Sequence, residues 1–327
     1  MSKRMPRILT IAVLVSLVLI AVVVAIVLWR DPYNVVRADF TRQRIAAGLS
    51  RASAQIDDHR WVYAYSDDAP KDAPTVVLLH GFTGSKENWY PVARLLRGHY
   101  RLLIPDLPGW GDSQRIAGAE YGFVAQARRV DHFIKQVAAD PRGVVLVGHS
   151  MGGGIAALTA AGYPNDVARA GLVDAAGVRF ADNRFGAQVL AGENPFAVED
   201  EASLQRYLDT VFEDPKVRPS IPWPAAGIYI NRRRNDAAFE RQVLARIGRS
   251  DERFLPGEAA ADIRQPALLL WCRQDAVIDY SAMALFAKQI PHASRVLLDE
   301  CGHMSVVEQP VMVAQAIEML IERGQAP

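Results

Sequence analysis

Val144-Val145-Leu146-Val147-Gly148-His149-Ser150-Met151-Gly152-Gly153-Gly154, followed by Ile155, Ala156, Ala157, Leu158, Thr159 and Ala160, is the stretch that decides the fold of this 327-residue chain. The β-branched and leucine run predicts a buried strand, and the alanine-rich run after it predicts a helix. Between them stands Gly-x-Ser-x-Gly. In a nucleophile elbow of this form a sharp strand-to-helix turn lifts a serine hydroxyl above a sheet. Gly148 and Gly152 suit the turn because a side chain at either place would strike neighbouring backbone. A plain glycine turn with an idle serine has the same five residues. The partners elsewhere in the chain decide between the two.

Toward the N-terminus, Trp61–Tyr65 alternates as an early strand, and Thr75–Leu79 reads as a short buried one. The second ends in His80-Gly81-Phe82-Thr83-Gly84. A turn of this type supplies one backbone N–H to the oxyanion of an acyl-transfer intermediate, and the residue after the nucleophile supplies the other. These donors are assigned to Phe82 and Met151, with His80 holding the loop. Tyr100–Ile104 is the next strand. It runs into a loop rich in Pro, Gly and Asp, where Leu107 and Trp110 are expected to offer apolar surface to a substrate and Asp106 and Asp112 to cap the loop. Tyr121–Ala139 reads as a helix and Ala168–Gly177 as another strand with its exit.

Toward the C-terminus, Ala267–Trp271 is a buried strand whose exit loop carries Asp275. Asp279 competes with it as a catalytic acid, and Asp174 is a third candidate. Arg295–Leu298 is the last strand, and His303 stands at its mouth. Ser150, Asp275 and His303 then fall in the chain order of a sheet-borne Ser-Asp-His triad. Ser150 is the expected nucleophile, His303 the base, and Asp275 the group that fixes the imidazole tautomer. This chemistry needs no metal or organic cofactor.

From Val178 to Ile263 the strand–helix rhythm stops. Helical runs at Glu201–Phe212 and Asn235–Ile247, separated by Pro215, Pro219, Pro222 and Pro224, predict a helical cap over residues 178–263. Trp223 is expected on its apolar underside, against the pocket. An apolar underside suits a greasy acyl chain.

Ile8–Trp29 contains no charged residue. At about 1.5 Å per residue it crosses the roughly 30 Å hydrocarbon core of a bilayer. Lys3, Arg4 and Arg7 before it predict a cytoplasmic N-terminus and a periplasmic catalytic domain, although Arg30, Arg37, Arg42 and Arg44 follow closely. A cleaved signal peptide shares the charge order but has a shorter core and a small-residue cleavage site. Residues 1–30 are therefore read as an uncleaved, single-pass inner-membrane anchor. Residues 31–58 read as an amphipathic juxtamembrane helix whose Arg-rich side meets headgroups, with a homodimer through this region as a further expectation. The formal net charge of +1 excludes the basic field of a nucleic-acid binder. Cys272 and Cys301 lie on the loops carrying Asp275 and His303. In an oxidising compartment they are placed to bridge, and otherwise they are two buried thiols.

Over residues 60–325 the chain resembles the α/β-hydrolase family, and within it the membrane-anchored monoacylglycerol lipases and related bacterial lipases and phospholipases. The resemblance is carried, in family order, by His80–Gly84, Gly148–Gly153, Trp271–Ser281 and Cys301–His303. It implies a mostly parallel sheet flanked by helices, with core segments 59–177 and 264–327 and a cap between the sixth and seventh core strands. It also implies Ser150, Asp275 and His303 as triad and Phe82 and Met151 as oxyanion donors. Cys272 departs from the glycine that many relatives carry after the tryptophan, and the stretch after Asp275 lacks the proline of many soluble esterases. The expected activity is hydrolysis of acyl esters of membrane-derived lipids. An esterase or carbon–carbon bond hydrolase on a small soluble substrate is the alternative, and a non-catalytic anchored binding protein is a second class.

Overall fold

The structure, a computed structural model, describes residues 7–322. Lys3 and Arg4, on which the expected anchor orientation partly rests, lie outside the described residues. Eight strands form one sheet: β1 (Ser50–Ile56), β2 (His59–Tyr65), β3 (Thr75–Leu79), β4 (Arg101–Pro105), β5 (Val144–His149), β6 (Val167–Val173), β7 (Ala267–Cys272) and β8 (Ser294–Leu298). Their order is β1-β2-β4-β3-β5-β6-β7-β8. β1 and β2 pair antiparallel, as do β2 and β4, and every later pairing is parallel.

β3, β5 and β7 are buried at every position, which is why they read as unbroken apolar runs. Their side chains divide by parity. Val77, Leu79, Leu146, Leu269 and Trp271 enter one core layer, while Val76, Leu78, Val145, Val147 and Leu270 enter the layer on the other face. The sheet is thus sealed on both sides, and only its ends are open for chemistry.

The helices are α1 (Arg7–Arg30), α2 (Asn34–Ala46), α3 (Tyr90–Leu96), α4 (Phe123–Phe133), α5 (Met151–Gly162), α6 (Arg184–Leu190), α7 (Glu201–Val211), α8 (Ala225–Arg249), α9 (Leu255–Ala259), α10 (Ser281–Gln289), α11 (Ser305–Glu308) and α12 (Pro310–Glu322). Within α1, Ile11–Arg30 has a mean hydropathy of 3.5 and no residue of it is buried against the protein. Among the described residues it alone is long and apolar enough to cross a membrane, and it anchors the chain there.

Between β6 and β7 lie α6–α9, the helical cap. It is pinned to the sheet's open end where Met304 N–H donates to the Val211 carbonyl at 3.0 Å. α8 begins at Ala225, immediately after Pro224, and so takes in Ile228, Tyr229 and Ile230 ahead of the helical run read from the sequence.

One expectation is corrected. Residues 31–58 are not one amphipathic helix: α2 covers only Asn34–Ala46, Gly48 turns the chain at φ +67°, and residues 50–56 are β1. The spacing of Leu49, Ala52 and Ile56 suits a helix face, but Ala52, Ala54 and Ile56 also alternate with exposed Arg51, Ser53 and Gln55. Period two wins because β2 offers a hydrogen-bonding edge along the whole stretch.

Candidate active site

Ser150 sits between β5 and α5 at φ 57° and ψ −121°, a strained conformation for a side-chain-bearing residue. Its N–H donates to the Val173 carbonyl at 2.9 Å, and its own carbonyl accepts from the amides of Gly153 and Ala176. A Cβ at Gly148 would lie 2.0 Å from the Gly152 carbonyl oxygen, and one at Gly152 would lie 2.5 Å from that of His80. Glycine at both places is thus a packing requirement of the elbow.

His303 Nε2 lies 2.9 Å from Ser150 Oγ, and His303 Nδ1 lies 2.8 Å from Asp275 Oδ2. The other carboxylate oxygen, Oδ1, accepts from the amides of Val277 at 2.8 Å and Ile278 at 2.9 Å. These partners dictate the tautomer: Nδ1–H donates to Asp275, which leaves Nε2 as the acceptor for the serine hydroxyl. Burial lowers the His303 pKa from its ordinary value to about 3, so the ring is the neutral base at neutral pH. Burial raises the Asp275 carboxyl, and the two amides oppose that shift. All three groups are nearly sealed from solvent.

The competing acids are placed elsewhere. Asp279 accepts from the Ser281 amide at 2.9 Å, ahead of α10. Asp174 accepts from the Cys272 amide at 2.9 Å and from the Ser305 hydroxyl, and burial raises its pKa well above the usual carboxylate value. It stands behind the histidine loop.

Cys272 and Cys301 form a disulfide with Cα atoms 5.4 Å apart, joining the ends of β7 and β8. The bridged alternative is the one realised. A positioning residue missed in the sequence is His149, the variable residue of the elbow. Its Nε2–H donates to the His303 carbonyl at 2.6 Å, and burial holds it neutral with a pKa lowered to about 3. The signal available was only its adjacency to Ser150.

The loop after β3 runs against the serine. A Cβ on Gly81 would come within 2.8 Å of Ser150 Cβ and 3.3 Å of Oγ. His80 holds this loop as expected: Nδ1–H donates to the Gly81 carbonyl at 2.8 Å and Nε2 accepts from the Leu107 amide at 3.0 Å. Among the described residues, the N–H groups of Phe82 and Met151 donate to no protein acceptor.

A cavity of about 660 Å³ opens from Ser150 and His303. Phe82, Trp110 and Phe196 line it, with Phe82 edge-on to Trp110 at 5.2 Å, and so do Tyr33, Val36 and Phe40 of the α2 region. Two expected pocket residues are corrected. Leu107 is fully buried in the core, among the side chains packed under the loop that its amide ties to His80. Trp223 is 89% exposed on the outside of the turn before α8, while its neighbours Ile221 and Pro222 face the cavity.

Asp106, expected as a loop cap, is one. Its carboxylate accepts from the Lys86 amide and ammonium, both at 2.8 Å, and from the Asp112 amide at 2.8 Å.

Comparison with known proteins agrees with this geometry. Residues 74–310 match the profile of the alpha/beta hydrolase fold. The monoacylglycerol lipase ABHD6 of Rattus norvegicus is 27% identical over 304 residues, covering 91% of this chain and 89% of that one. Lipase 3 of Moraxella sp. (strain TA144) is 31% identical over 250 residues, covering 76% and 77%. The crystal structure of a membrane phospholipase A described as a bacterial virulence factor superposes with a TM-score of 0.82 at 34% identity, covering 95% of this chain and 98% of that one. With the elbow, the Ser150–His303–Asp275 chain and the capped sheet in place, the protein belongs to the α/β-hydrolase family and is a serine-type carboxylic-ester hydrolase.

Proposed function

We propose that the protein hydrolyses acyl esters of glycerolipids drawn from the bilayer that anchors it: monoacylglycerols, lysophospholipids or phospholipids. The observation that carries this reading is the lining of the cavity, which takes in both Ser150 and residues of α2, the helix that directly follows the membrane span. Ser150 Oγ attacks the acyl carbon as its proton passes to His303 Nε2. The amides of Phe82 and Met151 receive the developing oxyanion, where one such donor is worth about 3 kcal/mol. His303 returns the proton to the leaving alkoxide, and the bond to the alcohol breaks. A water deprotonated by His303 then releases the fatty acid and restores Ser150, while Asp275 balances the transient imidazolium.

For placement, we read residues 1–30 as a single-pass inner-membrane anchor with a cytoplasmic N-terminus and a periplasmic catalytic domain. The Cys272–Cys301 bridge supports this side, since such bonds persist in oxidising compartments. We take 178–263 as the cap and 59–177 with 264–327 as the core, to which β1 adds its antiparallel pairing with β2. A homodimer through the anchor region remains part of the proposal, and crosslinking of the full chain in membranes tests it.

Initial rates on p-nitrophenyl esters of increasing chain length, then on dispersed monoacylglycerol and phospholipid, test the substrate reading. Longer chains and lipid dispersions are expected to be cleaved. Activity confined to acetate esters would favour a small soluble substrate instead.

A further inference from the structure

Beside the cavity mouth lies a second, open basin of about 520 Å³ that the hydrolytic site does not use. Five arginines line it: Arg37 on α2, Arg51 on β1, Arg60 on β2, Arg115 on the loop after β4 and Arg232 on α8. Only two carboxylates, Asp112 and Asp236, share its wall. Asp112 is contacted at once by Arg37 at 3.6 Å, Arg51 at 3.3 Å and Lys86 at 3.3 Å. Asp236 is shared by Arg115 at 2.8 Å and Arg232 at 2.9 Å. Arg60 binds only a main-chain oxygen here, the carbonyl of Asp112 at 3.1 Å. Arg37 also pairs with Asp31, and Arg115 also donates to the Gly109 carbonyl. Among the described residues the five guanidinium groups thus share three carboxylates, Asp31, Asp112 and Asp236, which leaves the basin with an excess of positive charge.

Its position selects the ligand. Arg37 lies in the first turn of α2, directly after the spanning helix, and the Arg37 and Arg232 side chains sit 5.2 Å and 5.6 Å over the Tyr33 ring at that junction. Basic groups immediately outside a membrane span meet the phosphate layer of the bilayer. Planar guanidinium forks match phosphate oxygens two at a time. Arg37, Arg115 and Arg232 also line the catalytic cavity, so the basin and the cavity share a rim.

We propose that this basin is a headgroup site for an anionic phospholipid of the bilayer, which seats the mouth of the acyl cavity on the membrane surface. The shared chemistry is a phosphate group held by several arginines, and the bilayer is its source. The proposal rests on the reading that α1 spans a bilayer.

The test needs no turnover. Full-length Ser150→Ala protein is released from micelles holding equal amounts of phosphatidylglycerol and phosphatidylcholine with the same acyl chains, and retained lipid is counted by native mass spectrometry. Chains entering the apolar cavity contribute to both lipids alike. Phosphatidylglycerol is expected to be retained at least tenfold over phosphatidylcholine. That preference is expected to fall within twofold in Arg51→Gln/Arg60→Gln and to fall less, to about threefold to fivefold, in Arg51→Lys/Arg60→Lys, which keeps the charge and loses the planar fork. If the double Gln protein melts early, the single Arg60→Gln variant is read instead, with a threefold loss expected. Equal retention of the two lipids, or a preference unmoved by the Gln substitutions, would overturn the site. Displacement by inorganic phosphate at the lipid's own concentration would assign the basin to a soluble anion and overturn the bilayer assignment. Loss of lipid hydrolysis in the active protein would sink the substrate reading and leave this retention intact.

Discussion

Cys272 and Cys301 are joined across the ends of β7 and β8, so one covalent bond ties the loop of Asp275 to the loop of His303. The two catalytic groups depend on a 2.8 Å contact between loops that no regular hydrogen-bond ladder holds beyond the strand ends. With a sequence separation of 29 residues, loop-closure entropy makes the bridge worth about 3–4 kcal/mol. Urea unfolding with and without reductant is expected to show a loss of that size, with kcat falling at concentrations of urea too low to unfold the chain. A midpoint unmoved by reduction would contradict it.

The two buried carboxylates beside the site are separated by function. Asp275→Asn removes the acceptor that sets the His303 tautomer and is expected to lower kcat by about 10³–10⁴-fold. Asp174→Asn, whose carboxylate bonds Cys272 and Ser305 and lies 4.0 Å from His149 Nε2 rather than touching His303, is expected to act mainly on stability, by about 1–3 kcal/mol. Steady-state rates beside melting curves distinguish them. A larger kcat loss for Asp174→Asn would reverse the assignment.

Elbow packing predicts a contrast between two glycines of one helix. Gly152→Ala places a methyl 2.5 Å from the His80 carbonyl oxygen and is expected to cost about 3 kcal/mol or prevent folding. Gly162, at the far end of α5, has open space at the same position, and Gly162→Ala is expected to be neutral or stabilising by up to about 1 kcal/mol. Equal melting temperatures for the two variants would show that the elbow is looser than described.

His80, His149 and His303 are held neutral by burial, with pKa values lowered to about 4, about 3 and about 3. Their folded values lie below the unfolded value near 6.5, so the unfolded chain takes up protons first and stability is lost as pH falls below 6.5. Three protons set a slope of up to about 4.1 kcal/mol per pH unit. The raised carboxyls of Asp174 and Asp275 act in the opposite sense, so this slope is an upper bound. Denaturation midpoints are expected to drop between pH 7.5 and pH 5.5, and a rise would contradict the buried neutral histidines.

Much of this was legible in the residues because the legible parts are local. β3, β5 and β7 are apolar on both faces, so no competing period obscured them. Ser150, Asp275 and His303 each follow a strand that was recognisable by itself, and their order then specified the triad. β1 was not legible, because Leu49, Ala52 and Ile56 fit either period and only the partner strand decides. Trp223 and Leu107 were misplaced for a related reason. Whether an apolar side chain lines a cavity, fills a core or faces outward depends on how the cap and the loop after β4 pack, and composition does not encode that.

The central claim is that Ser150 cleaves acyl esters of bilayer lipids. The most direct measurement is product mass from a defined panel of monoacylglycerols, lysophospholipids and phospholipids incubated with the full-length protein and with Ser150→Ala. Free fatty acid is expected from the first, with rates at least about 10³-fold lower from the second. No lipid cleaved by the full-length protein, or full cleavage by Ser150→Ala, would contradict the account.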